Sequence, residues 1–398
     1  MSRVRPPSPA PTLNSSMTKK NFQCSAPWEG MFINPDGDFR VCCAGKSLGN
    51  LNKSSLEDIL YGPELNSVRT DMLENGSSNY CTNCIDSEEK SGKSLRDQFK
   101  KDLTNVNIDK FVPKNIDIRW RNTCQLRCGY CNGEWSSAYA RWEGKTERVS
   151  VVEWQRAVLD YIANDKTSIE VANFLGGEPL LLKENIELLD YIDPKIHISL
   201  VTNLSPANVE SFPVYQKLVN RATSWLVSLE ATGNKFEFIR RNAKWEITKS
   251  NYENLKINPW SSKGCHMTYC ILSAFSLVDV FDWLYEVDPD PNNNFTFPSV
   301  LLGPDEFSIY SFPPEIKKLA IDELDRLMEK HFEFLNEQTK NFVVATRQSL
   351  SQTIDDWSPE SVKRFMKYVE QSDIEMDPIS FKEEWPEVHA ILEGYMPA

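Results

Sequence analysis

The pattern of apolar and polar positions between residues 114 and 303 predicts strands that alternate with helices. Apolar runs of strand length occur at 115–121, 168–175, 196–202, 225–230, 266–275 and 295–302. Between the first two runs, apolar residues from Val151 to Ile162 recur at the spacing of one helix face. This alternation favours a parallel sheet with right-handed crossovers, and six strands are too few for a closed eight-stranded barrel. We therefore expect an α/β fold over residues 106–303.

Both ends of the chain depart from this alternation. From residue 304 onward the apolar positions follow helical spacing alone, which predicts a C-terminal helical extension over 304–398. Ser358 and Pro359 open one of its helices, with proline at the first helical position. Residues 1–20 are rich in proline and serine and contain no apolar segment, so we expect a disordered tail and not a secretory signal.

Residues 21–105 are rich in cysteine and show a different local pattern. Apolar alternation on either side of Asp36-Gly37 predicts a β-hairpin, and helical stretches follow at 55–60 and 65–73. The cysteines of this segment are Cys24, Cys42, Cys43, Cys81 and Cys84. An upstream cysteine, a hairpin cysteine and the closing Cys-x₂-Cys pair supply four thiolates, enough for either a zinc ion or a complete iron–sulfur cluster.

Composition narrows the classes of function. A net charge of −13 and a pI near 5.0 argue against a nucleic-acid-binding surface and against an anionic-membrane surface. No run approaches the roughly 18 apolar residues that span a bilayer. The 10 cysteines, without a secretion signal, indicate a reducing cytoplasm, where clustered thiols bind metal or take part in catalysis.

Three closely spaced cysteines form the most informative motif, with the spacing Cys124-x₃-Cys128-x₂-Cys131. A structural zinc site uses four ligands, and no fourth is evident nearby in the sequence. Three thiolates suit a cubane iron–sulfur cluster that leaves one iron without a protein ligand. From the spacing alone, a zinc or other thiolate site and a set of unrelated buried thiols remain alternatives.

This spacing, with Tyr130 before the last cysteine, resembles the cluster-binding signature of the radical S-adenosylmethionine (SAM) superfamily. The resemblance implies a partial (β/α)6 TIM-like barrel with the cysteine loop at the carboxyl end of its first strand. It also implies a 4Fe-4S cluster whose open iron binds the amino and carboxylate groups of SAM. After the second predicted strand, Gly176-Gly177-Glu178-Pro179 resembles the superfamily's GGEP motif, which holds the SAM amino group.

Further positions match SAM-binding positions of the same superfamily. Asn203 follows the third predicted strand, and Leu204 stands where relatives carry glycine. Ser228 and Arg240 match a Ser-x-Asp-Gly…Arg segment whose serine and arginine bind the SAM carboxylate, for which a guanidinium is a natural partner. The usual aspartate of that segment is Glu230 in this chain.

The N-terminal cysteines resemble the twitch module, a shortened SPASM domain that holds an auxiliary 4Fe-4S cluster in many radical SAM enzymes. The similarity includes the hairpin Asp-Gly-x₄-Cys and the closing Cys-x₂-Cys. In that pattern the hairpin ligand matches Cys42, and Cys43 is a packed neighbour. The implied auxiliary ligands are Cys24, Cys42, Cys81 and Cys84. The module precedes the barrel here, as in an N-terminal-twitch subfamily that the chain resembles.

Two cysteines remain outside these motifs. Cys265 and Cys270 fall on the fifth predicted strand, five positions apart and therefore on opposite faces. We expect both to be core or lining residues, with a catalytic thiol as the alternative for one of them.

Together the resemblances imply a cytoplasmic radical SAM enzyme with an auxiliary-cluster module at 21–105, a barrel at 106–303 and a helical extension at 304–398. A flavodoxin- or ferredoxin-type donor would reduce the cluster, which cleaves SAM to a 5′-deoxyadenosyl radical that abstracts hydrogen from a substrate. A peptide or protein substrate is favoured, as is usual for SPASM and twitch relatives. The alternatives are a small, sugar-alcohol-like substrate and a non-catalytic zinc or iron–sulfur scaffold.

Overall fold

The computed structural model describes residues 23–91, 94–101, 105–164, 168–289 and 294–396. The predicted disordered tail at 1–20 lies outside the described residues. The chain divides into two compact units. The first comprises the described residues within 1–122 and 147–199, and the second comprises those within 123–146 and 200–398.

The strands and helices follow one another along the chain as the apolar pattern predicts. The strands are β1 (Gln23–Cys24), β2 (Gly30–Ile33), β3 (Asp38–Arg40), β4 (Gly49–Asn50), β5 (Lys100–Lys101), β6 (Asn115–Ile118), β7 (Arg127–Cys128), β8 (Val171–Phe174), β9 (His197–Thr202), β10 (Thr223–Ser228), β11 (Arg240–Arg241), β12 (Ser262–Tyr269) and β13 (Asn294–Val300). The helices are α1 (Ala26–Glu29), α2 (Leu56–Leu60), α3 (Pro63–Asn75), α4 (Thr82–Ser91), α5 (Ser137–Trp142), α6 (Val152–Asn164), α7 (Glu184–Tyr191), α8 (Pro213–Leu218), α9 (Gly233–Ile239), α10 (Trp245–Glu253), α11 (Leu277–Val287), α12 (Pro314–His331), α13 (Glu337–Gln352), α14 (Pro359–Met376), α15 (Phe381–Glu384) and α16 (Pro386–Glu393).

The sheet of the first unit joins the N-terminal hairpin to the strands predicted for the barrel. Its strands are hydrogen-bonded in the order β8-β6-β2-β3-β4. β2 and β8 both run parallel to β6, and β3 runs antiparallel to β2. The chain reverses at the predicted turn, where Gly37 has a φ of 81°, a left-handed conformation that glycine adopts readily. The predicted hairpin is confirmed, and it extends the sheet that begins with the first barrel strand.

One face of this sheet is apolar and buried. Ile33, Ile116 and Ile118 are at most 3% exposed, and Phe39 packs edge-on against Phe111 with 6.3 Å between ring centroids. Burial of each such side chain contributes about 1.5–3 kcal/mol. Because side chains alternate between faces along a strand, the opposite face carries the residues between these positions.

The second unit contains the remaining parallel strands and the C-terminal helices. β9, whose residues from Leu200 belong to this unit, is followed across the sheet by β10, β12 and β13, and the last three are parallel. α12 to α16 form the predicted helical extension. α14 begins as predicted, because the Ser358 hydroxyl accepts a hydrogen bond from the Ser361 amide and Pro359 is the first helical residue. Across the described residues, no helix combines the length and apolar character needed to cross a membrane.

The predicted α/β class is confirmed, but the fifth strand is displaced. The sequence places it at 266–275, whereas β12 spans Ser262–Tyr269. Cys265 lies on β12, and Cys270 follows its end, so the prediction that both lie on this strand is wrong for Cys270. The segment after Tyr269 is a buried turn. Its apolar composition alone does not distinguish such a turn from a buried strand. Both cysteines are buried, as predicted. The domain boundaries stay a prediction.

Candidate functional site

The cysteine loop, residues 124–131, is held by backbone pairing on both sides of Cys128. β7 pairs antiparallel with β11, which places Cys128 opposite Arg240. The amide of Gly129 donates a hydrogen bond to the carbonyl of Ile239 at 2.9 Å. The two-strand ribbon formed by β7 and β11 therefore sets the position of the middle cysteine.

The start of the cysteine loop is fixed by the helix that follows it. The amide of Cys124 donates to the Ser137 hydroxyl at 3.1 Å, and the amide of Ala138 donates to the Cys124 carbonyl at 3.1 Å. The Ser136 hydroxyl donates to the Leu126 carbonyl at 2.6 Å and accepts from the first turn of α5. Local capping residues of α5 thus orient Cys124.

Two of the three sulfurs in the cysteine loop have a nitrogen donor nearby. Asn203 Nδ2 lies 3.8 Å from Cys124 Sγ, and Arg240 Nη1 lies 3.6 Å from Cys128 Sγ. Burial raises the pKa of the Cys128 thiol, and the Arg240 charge partly opposes this effect. Burial also raises the pKa of Cys131, to about 12. Metal ligation requires thiolates, and donors of this kind stabilise a negative sulfur.

A buried network surrounds the predicted SAM-binding arginine. Arg240 Nε donates to Glu230 Oε2 at 2.7 Å, and the second Glu230 oxygen accepts from both Arg240 Nη2 and the Tyr130 hydroxyl. Arg240 Nη2 also lies 2.9 Å from the Tyr130 oxygen. The structure therefore brings Tyr130, Glu230 and Arg240 together. Arg240 is paired with the carboxylate of Glu230, whereas the family pattern implies that it binds the carboxylate of SAM.

The strand ends predicted to face SAM lie in the same unit as the cysteine loop. Ser228 is the last residue of β10 and is buried. Asn203 follows β9, and its carbonyl oxygen Oδ1 accepts from Gln125 Nε2 at 2.9 Å. Leu204 has a φ of 47°, so this leucine adopts a left-handed conformation that glycine adopts more readily. Its side chain is fully buried.

The GGEP segment lies in the first unit, directly after β8. Gly176 and Gly177 have left-handed φ values of 79° and 59°. A β-carbon on Gly176 would lie 2.6 Å from Cδ of Arg119, so glycine also permits close approach of that side chain. Glu178 is fully buried, and its Oε1 accepts from the Leu180 amide at 3.1 Å. The segment is therefore a rigid, tightly packed turn that carries a buried carboxylate.

The four cysteines predicted as auxiliary ligands line one pocket of the first unit, together with Tyr80 and Arg96. Cys43 does not line it and is exposed, so the expectation that Cys43 is a packed neighbour is wrong. The charged side chains that act on its thiol are Asp117 and Arg119. Burial raises the pKa of Cys24 to about 12. Arg96 makes a bidentate pair with Glu88 through the Nε and Nη2 edge of its guanidinium, and it also acts electrostatically on Cys81.

The donor sets fit iron–sulfur clusters. Three thiols on one short loop and four thiols around one pocket match the sulfur ligands that such clusters require. Within the described part of the chain, no three His, Cys, Asp or Glu side chains converge tightly enough for a single metal ion. A cubane cluster takes each thiolate on a different iron, so its ligands are spaced more widely than those of one ion. The ligand roles of these cysteines stay predictions.

The sequence gives no sign of two contacts that shape the cysteine loop. Glu375 of α14 accepts a hydrogen bond from Arg127 Nη2 at 2.9 Å, across 248 positions of sequence. The Tyr368 ring lies beneath the guanidinium of Arg241, 4.8 Å from its central carbon. Neither residue belongs to a motif, and the helical pattern of α14 reveals its amphipathicity but not its partner.

Two family models match the chain. A model described as an iron–sulfur cluster-binding domain (SPASM) matches residues 24–85, and the model of the radical SAM superfamily matches residues 118–274. No curated protein matches the chain.

Two solved structures are similar to the chain at low identity. The chain is similar to native anSMEcpe with bound AdoMet at 17% identity and a TM-score of 0.39, over 54% of this chain and 60% of that chain. It is similar to native anSMEcpe with bound AdoMet and Kp18Cys peptide at 18% identity and a TM-score of 0.38, over 53% and 59%. The chain thus spans about 60% of the first structure's length.

The two matched segments contain the N-terminal thiols and the cysteine triplet, respectively. At the level of the domains, this confirms the predicted cofactors: a SAM-binding 4Fe-4S cluster, SAM and an auxiliary iron–sulfur cluster. The chain contains a radical SAM domain over residues 118–274 and, ahead of it, a SPASM-type iron–sulfur domain over residues 24–85.

Proposed function

We propose that this protein is a radical SAM enzyme that abstracts hydrogen from a peptide or protein substrate. The observation that carries the proposal is the cysteine loop of residues 124–131, whose backbone is held by β11 at Cys128 and by α5 at Cys124 within the superfamily match. When bound, the cluster and SAM supply a 5′-deoxyadenosyl radical, which removes a hydrogen atom from the substrate.

In this proposal Cys124, Cys128 and Cys131 ligate the SAM-binding cluster. Asn203 and Arg240 donate toward two of these sulfurs and favour their thiolate forms, as the 3.8 Å and 3.6 Å distances allow. Because Glu230 occupies one edge of the Arg240 guanidinium, this arginine is held rigidly in place. Its Nη1 edge is the part directed at the cluster ligands.

SAM is assigned to the positions of this chain that match the superfamily motifs. The buried carboxylate of Glu178 is suited to the SAM amino group, and the left-handed Gly176 and Gly177 allow the ligand close to the backbone. Tyr130, Pro179, Asn203 and Ser228 are proposed to complete the SAM-binding positions. These assignments rest on the superfamily pattern, and Pro179, Asn203 and Ser228 are buried while Tyr130 is partly buried.

The second thiol pocket suits an electron relay. Cys24, Cys42, Cys81 and Cys84 can fill every ligand position of a 4Fe-4S cluster, which leaves no iron open for substrate. We assign residues 21–105 to this auxiliary module, 106–303 to the radical SAM barrel and 304–398 to the helical extension. A flavodoxin- or ferredoxin-type protein is the proposed electron donor, in the cytoplasm.

The central test is reductive SAM cleavage by anaerobically reconstituted protein. With dithionite and SAM, wild-type protein is expected to form 5′-deoxyadenosine, and Cys128→Ala is expected to form none. Cys265→Ala is the matched control, because Cys265 is buried in β12 and is not a proposed ligand. Equal product from wild type and Cys128→Ala contradicts the proposal, as does purified protein that contains zinc without acid-labile sulfide.

A second assay addresses the substrate class. SAM consumption is measured with candidate peptides and, separately, with small sugar alcohols. Stimulation by peptide alone supports the proposed class. Stimulation by the alcohols alone replaces it with a small-molecule dehydrogenase.

A further inference from the structure

One row of side chains crosses the sheet of the first unit on the face opposite its apolar core. Arg40 of β3 stands opposite Phe32 of β2, Phe32 opposite Asp117 of β6, and Asp117 opposite Asn173 of β8. Residues directly opposite one another on paired strands share a face. The row therefore joins the N-terminal hairpin to the first two strands of the radical SAM domain.

The row lies where α/β folds bind ligands. Phe32, Asp117 and Asn173 are each the last residue but one of their parallel strands, so the row marks the carboxyl edge of this part of the sheet. Arg119, one residue beyond β6, reaches the same edge and contacts Gly176 of the GGEP segment through its methylene groups. The row is thus adjacent to the turn assigned above to SAM.

Two arginines share one aromatic ring in this row. The guanidinium carbon of Arg119 lies 4.8 Å from the centroid of Phe32, and that of Arg40 lies 5.6 Å from it. Arg119 makes a bidentate pair with Asp117 at 3.1 Å and 3.0 Å. A stacked guanidinium keeps its in-plane N–H groups free for a carboxylate.

The charges of the row do not balance. Among the residues that the structure describes, Arg40 forms neither a side-chain hydrogen bond nor an ion pair, and its Nε is buried without an acceptor. Asp117 neutralises Arg119, so one positive charge remains on a half-buried side chain. A buried donor without an acceptor is costly, and a planar carboxylate is the group that a guanidinium edge satisfies best.

We propose that Arg40 binds a carboxylate group of the peptide substrate and so holds the substrate beside the SAM-binding turn. This inference rests on the proposed function, since it names the substrate chemistry of the same enzyme. The hairpin that carries Cys42 then has a second task, because Arg40 lies two residues before that cysteine. The proposed substrate contact on β3 and a proposed ligand of the auxiliary cluster are therefore neighbours along the chain.

The test measures the binding of two fluorescein-labelled heptapeptide pools to reconstituted holoprotein in the presence of SAM. The pools are identical except that Asp and Glu in one are replaced by Asn and Gln in the other. By fluorescence anisotropy, wild type is expected to bind the acidic pool about tenfold more tightly than the amide pool. Arg40→Met is expected to lose this preference, and Arg40→Lys, which keeps the charge, is expected to retain part of it.

Arg156→Met is the matched control, because Arg156 is an exposed arginine on α6 of the same unit. It is expected to keep the full preference. Arg40 also acts electrostatically on Tyr80, which lines the thiol pocket, so iron and sulfide are measured for every variant.

Two outcomes overturn the inference: equal binding of both pools by wild type, which needs no variant, and a preference that survives in Arg40→Met. Formation of 5′-deoxyadenosine is measured on the same preparations. Absence of 5′-deoxyadenosine contradicts the proposed function. The binding comparison between the two peptide pools tests the carboxylate site separately.

Discussion

The carboxylate of Glu375 accepts a hydrogen bond from the guanidinium of Arg127 at 2.9 Å, and it lies 3.4 Å from the guanidinium of Arg241. Arg127 and Arg241 face each other across the β7–β11 ribbon that carries Cys128. One residue of the C-terminal helix α14 therefore contacts both strands that position the cysteine loop. The helical extension supports the site mechanically, although it contributes no motif.

Glu375→Gln is expected to loosen this ribbon. The pair is partly exposed on the Glu375 side, so the free energy of unfolding should fall by about 1 kcal/mol. Chemical denaturation measures this change, with Glu370→Gln as the control on an exposed position of the same helix. Identical midpoints for the two variants would show that the contact does not stabilise the loop.

Gly129→Ala is expected to be destabilising because a β-carbon at this position would collide with the Tyr368 hydroxyl oxygen and lie 3.1 Å from Leu272 Cδ1. Overpacking of this kind costs about 1–3 kcal/mol. Tyr368→Phe removes the colliding oxygen, so the double variant should recover part of the loss. A double-mutant cycle of unfolding free energies measures the coupling. Strict additivity of the two substitutions would contradict this account.

Cys42→Ala and Cys43→Ala are expected to differ in iron content, because Cys42 lines the thiol pocket and Cys43 does not. The first variant should lose the iron and sulfide of one cluster, and the second should keep both clusters. The two substitutions remove the same group at adjacent positions, so each controls for the other. Loss of iron in Cys43→Ala alone would assign the hairpin ligand to Cys43.

Leu204 combines a left-handed backbone with a fully buried side chain, so two effects compete when it is replaced. Leu204→Ala loses the buried side chain at a cost of about 2–5 kcal/mol and keeps the backbone strain. Leu204→Gly loses the same contacts but relieves about 1–2 kcal/mol of strain. We therefore expect glycine to be less destabilising than alanine, the reverse of the usual order within regular structure. Thermal or chemical unfolding of the two variants compares them directly.

Glu230→Gln is expected to cost about 3–5 kcal/mol of unfolding free energy, because it leaves the buried Arg240 guanidinium without its carboxylate partner. Glu230→Asp keeps the charge and restores the residue usual in the family pattern, so it should cost less. Denaturation midpoints, together with the iron content, test the order of the two variants. If Glu230→Gln is neutral, the pairing does not hold Arg240.

Local patterns in the sequence are sufficient to predict most of the helices and strands and to locate the motifs. The hairpin turn at Asp36-Gly37, the helix start at Ser358 and the alternation of strands follow from turn chemistry, capping and apolar period, which act over a few residues. The apolar pattern places the fifth strand too far along the chain, because the buried turn after Tyr269 has the composition of a strand. The residues of this turn are apolar because they are buried, whereas the end of β12 depends on where its backbone hydrogen bonds to neighbouring strands stop.

The chemical motifs are present in the amino-acid sequence alone: a cysteine spacing, a glycine-rich turn and a second set of thiols between Cys24 and Cys84. The pairing of charged residues that lie far apart in the sequence depends on the tertiary structure. Glu230 takes one edge of Arg240, Glu375 contacts Arg127, and Phe32 places Arg40 beside Arg119. Such partners are chosen by strand register and helix packing over long separations, and register is a property of the folded sheet, which no local pattern records.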